Sequence, residues 1–531
     1  MTILQSLVGL SLLVGCSGTE LSPTQADTSL GRANGFATEE GVVAFLGLRF
    51  AEPPVGELRF RPPVAIDAWD TPVEATAFGP ACPQPGNAYE NQSEDCLTLN
   101  VWTPAVDDRS RPVMVWIHGG GWAYEGTEDS LYNGAKLAAR GDVVVVSVEY
   151  RLGVLGFSHF ETIEGSGNAG LLDQLLALEW VRDHIGDFGG DSSNVTIFGE
   201  SAGGMSVTAL MGMPRAQGLF HKAIAQSGAG STARQAAYAA GVADVFLAAA
   251  GASAVDELLP LTTAEILEAQ SVVLESAFLE DILFGPVVDG VVFPEPPVRA
   301  IANGSAADVP LLAGTTKDET RLWITFADIL ADIPVQAVTA FVPSGERALP
   351  DGVTIDEAAE LYEGNRPDEG PGVITHAIGS DIFFRMPAIR HVEAQLAHQP
   401  DHTFLYRFDW APPAPQWPQY DLGAMHGAEL AFMFGTPEGW TNAYGTDGVP
   451  EGLVDQMMDA WVAFAETGDP NHGGMPSWPP YDTVDRPTML FDTSDDEPLS
   501  AIADDPDGTE RSFWDGVPFD GTKPFAAAED L

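Results

Sequence analysis

The chain has 531 residues, 45% of them hydrophobic, an ordinary share for a globular protein with a large core. Its charge is not ordinary: 24 Lys and Arg stand against 77 Asp and Glu, a formal net charge of −53. Such a chain repels nucleic acid and anionic membrane surfaces, so neither is expected as a partner, and its scattered acids read as a solvated face suited to salty surroundings.

The first eighteen residues read MTILQSLVGLSLLVGCSG. The apolar run before Cys16 is too short to span a bilayer but fits a secretory signal. Leu13-Val14-Gly15-Cys16 resembles the bacterial lipobox, in which the Cys becomes the lipidated first residue of the mature protein, although no Lys or Arg precedes the run. The expectation is a signal peptide over 1–15, a lipid anchor on Cys16, a flexible tether over 16–31 and a single domain over 32–531. Export then leads to the cell envelope (outer membrane or periplasm), or alternatively to secretion, and the lipid is the one expected contact with a membrane. In an oxidising compartment Cys82 and Cys96 remain as a pair, and a disulfide between them contributes about 3 kcal/mol in the chain-entropy model.

Further along, Ser93 to Val101 alternates apolar and polar residues, a strand signature. Val113 to Ile117 is a continuous apolar run and reads as a central strand. It ends in His118-Gly119-Gly120-Gly121-Trp122. Three glycines in succession make sense where backbone N–H groups must approach a ligand with no Cβ in the way, as in an oxyanion loop. Val143 to Val148 reads as another buried strand, and Asn168 to Gly186 as a helix with Leu171, Leu175 and Leu178 on one face. Asn194 to Phe198 is a third strand, followed by Gly199-Glu200-Ser201-Ala202-Gly203 and a helical run. Strand, G-x-S-x-G and helix form the context of a nucleophile elbow, with Ser201 as nucleophile. Residues 232–283 read as helices, as does 320–400, which is expected to form part of a lid or pocket wall. Val309 to Gly314, Thr403 to Phe408 and Pro487 to Phe491 read as strands. A last helix is expected to start at Asp459 and end at Gly468-Asp469-Pro470-Asn471. Strands alternating with helices imply an α/β protein with a mostly parallel sheet.

The segments SEDCLTLNVW, HGGGW and FGGDSSNVTIFGESAGG, with later ones such as F-x-P-V-x-D-G at Phe284 to Gly290, are similar to the type-B carboxylesterase family. The similarity runs from about residue 32 to 518. It implies the α/β-hydrolase fold: a mostly parallel central sheet flanked by helices, with large helical insertions. It also implies a serine carboxylesterase working on a small-molecule ester through an acyl-enzyme. No metal or nucleotide signature is present, and no cofactor is expected.

A serine hydroxyl needs an imidazole to take its proton, and the imidazole needs a carboxylate to orient it. In this fold the acid and the base follow the nucleophile. Chemistry alone does not separate His426 from His391 or His402; the resemblance selects His426, in Gly423-Ala424-Met425-His426-Gly427-Ala428-Glu429. It places the acid on Glu319, with Asp318 as the alternative. The oxyanion is expected on the N–H groups of Gly120, Gly121 and Ala202. Glu200 is expected to touch His426 or an ordered water, and Ser227 to hydrogen-bond the Glu319 carboxylate.

Trp122 is expected to narrow the acyl side, which suggests short to medium acyl chains. Cholinesterases carry a choline-stacking tryptophan inside the first disulfide loop; here residues 83–95 hold only Tyr89 as an aromatic, so choline esters are not supported. Two rival readings do not fit. A non-catalytic binding protein of the neuroligin type lacks the nucleophile, which this chain keeps. An interface-activated lipase needs a large apolar lid, which the sequence does not display.

Overall fold

The computed structural model describes residues 23–86, 88–230, 233–276, 283–322, 354–411, 422–439, 449–492 and 499–515. The expected signal peptide and Cys16 lie outside them. An eleven-stranded sheet organises the rest. Its middle is a parallel run in the spatial order Pro487–Phe491, Thr403–Phe408, Leu311–Thr316, Lys222–Gln226, Gly190–Glu200, Arg111–Ile117 and Val144–Val148. Antiparallel strands close it: Ser500–Asp504 on one edge, and Thr98–Thr103, Val43–Arg49 and Phe36–Ala37 on the other.

The central strands are buried on both faces, and the two-residue period of a strand divides their side chains between two cores. Val113, Val115, Ile117, Val195, Ile197 and Leu311 face one core. Met114, Trp116, Phe198, Ile224 and Leu312 face the other. Each such side chain contributes roughly 1.5–3 kcal/mol on burial. This explains the apolar runs in the sequence: a parallel strand with helices on both sides has no wet face. Helices Ala169–His184, Ala202–Gly212 and Glu451–Thr467 supply the covers.

Two expectations are corrected. Part of the segment read as a flexible tether is structured: Gln25–Thr28 and Gly31–Asn34 pair antiparallel. Ala26 and Ala33 in the two strands are fully buried, and Trp69 N donates to Leu30 O at 2.7 Å. Small residues here serve close packing rather than flexibility. The helix expected from Asp459 begins at Glu451, and Gly508–Trp514 follows it as a further helix. It ends as expected, with Gly468 left-handed at φ 81° and its N–H on Phe464 O at 2.8 Å. Residues 323–353, within the expected pocket wall, lie outside the described residues; Ile355–Asn365, Pro371–Ser380 and Met386–Leu396 are helical. No helix among the described residues is long and apolar enough to cross a membrane.

Cys82 and Cys96 are joined in a disulfide. Beside it, Arg59 forks onto Glu94 at 2.8 and 2.7 Å and donates to the carbonyls of Leu258, Leu259 and Leu261. That buried pair ties the disulfide loop to the helical insertion.

Candidate active site

Ligand sites in parallel α/β sheets lie beyond the carboxyl ends of the strands. Four neighbouring strands end here in residues the sequence singled out. Gly119 to Gly121 follow Arg111–Ile117, Ser201 follows Gly190–Glu200, Ser227 follows Lys222–Gln226, and Glu319 follows Leu311–Thr316.

The elbow is made by backbone crowding. Ser201 sits at φ 56°, ψ −125°, a conformation that non-glycine residues rarely hold. A Cβ at Gly203 would lie 2.0 Å from Ile117 O, one at Gly204 2.4 Å from Gln226 O, and one at Gly228 2.1 Å from Ser201 O. Glycine is therefore required at these crossings for steric reasons. Ser201 N donates to Gln226 O at 3.0 Å, which seats the turn on the next strand.

The glycine loop is aimed by its carbonyls. Tyr150 Oη donates to His118 O at 2.9 Å and to Gly119 O at 3.2 Å. Gly120 O accepts from Ala123 N and Tyr124 N, both at 3.0 Å. In a trans peptide the N–H points opposite the carbonyl, so the amides of Gly120 and Gly121 face the other way. Ser201 O accepts from Met205 N, so the Ala202 amide points out of the helix start, where no intrahelical acceptor exists.

Glu319 is fully buried, and its Oε2 lies 2.5 Å from His426 Nδ1. Its Oε1 accepts from Thr316 N at 2.9 Å. Asp318, the alternative acid, does not meet the imidazole: its Oδ2 accepts from Ala424 N at 3.0 Å and its carboxylate pairs with Arg321 at 3.0 Å. It holds the loop that carries His426. A Cβ at Gly423 would lie 2.2 Å from that Oδ2, which explains a left-handed glycine at φ 55°. The rival histidines are elsewhere, His391 on Thr208 Oγ1 and His402 on Gly468 O.

Glu200 is where it was expected, its Oε1 3.1 Å from His426 Nε2. Ser201 Oγ makes no hydrogen bond among the described residues, so the Ser–His link is not formed and Glu200 stands beside the nitrogen it would use. Ser227 departs from expectation: its Oγ is buried without a hydrogen-bond partner among the described residues. At φ 46°, with its N–H on Gly314 O, its side chain does not reach Glu319, whose oxygens go to His426 and Thr316.

Trp122 is fully buried at φ 57°, and its Nε1 donates to Ser206 Oγ, on the helix that follows Ser201, at 3.0 Å. Its indole thus fastens the glycine loop to that helix. The segment 354–400 contributes Phe384, whose ring centroid lies 4.9 Å from that of His426, on a π-helical turn at Asp381–Arg385. The sequence reading missed the buried acids of this region. Burial pushes Glu429 and Glu149 up to about 7, and does the same for Glu125, to which Tyr132 Oη donates at 2.7 Å. Glu200 is raised well above the usual range by burial and by its acidic neighbours Glu429, Glu125 and Glu319. For His426, burial acts downward, but Glu200 and Glu319 outweigh it and lift it to about 9. His426 and Glu200, each held more firmly in its protonated form, face each other across that 3.1 Å contact. Glu429 was in view, in the same segment as His426, but its role shows only once Glu319, 110 residues earlier, packs beside it.

A model of the carboxylesterase family matches residues 22–514. The chain is 38% identical to the para-nitrobenzyl esterase of Bacillus subtilis (strain 168) over 501 residues, covering 91% of this chain and 97% of that one. It is 36% identical to carboxylesterase 1D of Rattus norvegicus, with 88% and 90% covered. Among solved structures, a carboxylesterase of Geobacillus stearothermophilus aligns with a TM-score of 0.82 at 36% identity, covering 92% of this chain and 100% of that one.

Proposed function

The chain belongs to the carboxylesterase family, and from that membership we propose that it hydrolyses small carboxylic esters through Ser201, His426 and Glu319. The observation that carries this reading is the buried Glu319–His426 contact at 2.5 Å, set beside a strained serine and three outward-facing amides. Ser201 attacks the ester carbonyl while His426 Nε2 takes its proton. The oxyanion forms against the amides of Gly120, Gly121 and Ala202, already aimed by Tyr150 and the helix start. His426 returns the proton to the leaving alcohol, and water then releases the acid from the acyl-enzyme by the same route. Glu319 fixes the imidazole through Nδ1 and stabilises its cation. For Nε2 to act as base it must be unprotonated, so the proton that the neighbouring acids favour on the imidazole leaves first, and the Ser201–His426 hydrogen bond forms as substrate binds. Short to medium acyl chains remain the proposed preference, because bulky Trp122 is locked beside the glycine loop by Ser206. Export and a lipid anchor on Cys16 are proposed from the sequence alone.

The test is hydrolysis of p-nitrophenyl esters from C2 to C12 by wild type and Ser201→Ala, with mass spectrometry after a fluorophosphonate. A label on Ser201 and a loss of up to ~10⁶ in kcat in the variant are expected. Folded wild-type protein with neither turnover nor label would refute the reading.

A further inference from the structure

The turn that carries the expected oxyanion amides is held in an unfavourable shape. Gly120, Gly121, Trp122 and Glu125 all have positive φ, at 82°, 62°, 57° and 75°. For Trp122 and Glu125, which carry a Cβ, this backbone is unfavourable and persists only where the surroundings over-determine it. Three fastenings do so. Tyr150 takes the carbonyls at the start, and Trp122 reaches Ser206 in the middle. The third lies at the end of the turn and comes from the disulfide loop.

It is Gln84, two residues after Cys82 and only 3% exposed. Its carboxamide grips both backbone polar groups of one residue: Glu125 N donates to Gln84 Oε1 at 2.9 Å, and Gln84 Nε2 donates to Glu125 O at 2.7 Å. Nε2 also lies 3.2 Å from Cys82 O, and Gln84 N donates to Gln92 Oε1 at 3.0 Å, so the clamp is itself braced by the Cys82–Cys96 loop. This two-way bond fixes which end of the carboxamide is nitrogen. Next along the turn, Thr127 is held by Glu149 Oε1 through its N–H at 2.6 Å and its hydroxyl at 2.9 Å.

We propose that Gln84 is a positioning residue for the oxyanion turn, its carboxamide holding Glu125 so that the disulfide loop sets the aim of the Gly120 and Gly121 amides. The proposal rests on the oxyanion role assigned to those amides above. The chain from clamp to amide is short: Glu125 follows Tyr124, whose N–H on Gly120 O orients the Gly120–Gly121 peptide. Freeing Glu125 lets that peptide turn away from the position of the developing negative charge. Such an effect falls on the transition state and leaves ground-state binding alone.

The test uses the full oxidised chain and two variants. Gln84→Met keeps the side-chain length and removes both hydrogen bonds. Gln84→Glu keeps the acceptor and regains a donor only when protonated. Rates are counted per fluorophosphonate-titrated site, so misfolded protein does not enter them. For Gln84→Met, kcat on p-nitrophenyl butyrate should fall about 10- to 100-fold with KM within about threefold. Affinity for an aryl trifluoromethyl ketone, which forms an oxyanion at the serine, should fall by the same factor. For Gln84→Glu, activity relative to wild type should rise as pH falls. Wild-type kcat and ketone affinity per titrated site in Gln84→Met, or a change in KM alone, would overturn the proposal while leaving the esterase reading intact. A wild type that neither turns over nor labels would sink both.

Discussion

Two acidic regions of this molecule, one buried and one half-exposed, are balanced in opposite ways. At His426 and the turn after the glycine loop, no ion pair among the described residues brings a Lys or Arg to Glu125, Glu149, Glu200 or Glu429, and burial pushes all four upward. At the C-terminal clasp, Arg407 forks onto Asp409 at 2.6 and 2.7 Å and reaches Asp507 at 2.5 Å, Arg511 forks onto Asp505 at 2.6 and 2.9 Å, and Arg366 grips Glu510. There burial also pushes Asp507 up, but Arg407 and Arg385 prevail and hold it below the usual carboxylate range. In a chain with 24 cationic side chains against 77 acids, placement of the cations matters. A permanent cation beside Glu319 would compete with the imidazolium for its carboxylate. Among the described residues no Lys or Arg pairs with Glu200 or Glu319, which leaves the His426 cation as the charge that Glu200, Glu319 and Glu429 stabilise.

The largest effect that tests this contrast is on stability alone. Arg407→Ala strands Asp409 and part of Asp507 without a cation and should cost about 3–5 kcal/mol in denaturant unfolding, with kcat per folded site unchanged. A fall in kcat would join the two regions that the contrast separates.

The pH dependence of stability should split them next. Glu149 has a folded value of about 7, above the usual 4.5, so the native state holds an extra proton between those values. Its contribution is full below about 4.5 and is lost as pH rises through about 7, by about 3 kcal/mol. Asp507 has the opposite sign: its contribution is present above the unfolded carboxylate value and lost as pH falls through its lowered folded one. Glu149→Gln should therefore gain about 3 kcal/mol on wild type between pH 5 and 8. An unchanged difference across that range in chemical unfolding would show that Glu149 does not bury a proton.

The finest effect is kinetic. Glu200→Gln removes a negative neighbour from His426, so the imidazole loses its proton at lower pH and the acid limb of kcat/KM should move toward acid. An acid limb that stays in place or moves upward would show that Glu200 does not govern the His426 proton.

The elbow, the glycine loop and the strands that deliver them were legible because each is local: steric and hydrogen-bonding demands fall within a few consecutive residues. The pairing of Glu319 with His426 spans 107 residues, and residue chemistry could not separate Glu319 from Asp318 beside it. The fold separates them by facing one carboxylate to the imidazole and the other to Ala424 N. Ser227 misled because its hydroxyl, on a left-handed backbone, makes no hydrogen bond to that carboxylate among the described residues. The segment before Gly31 misled because small polar residues suit a tether and a tightly packed strand pair equally. Gln84 carried no signal at all; its partner is 41 residues on and offers only backbone.

The glycine crossings beneath Ser201 also limit how this protein can vary. Gly203, Gly204 and Gly228 abut main-chain oxygens, which no rearrangement of neighbouring side chains can move aside. A mutational library that includes these positions therefore spends most of its members on chains that cannot close the elbow. Selection for new ester preferences has to work through residues such as Phe384, which meets His426 only by its side chain. The footing of Ser201 is set by main-chain packing, which leaves room for diversity only on the walls around it.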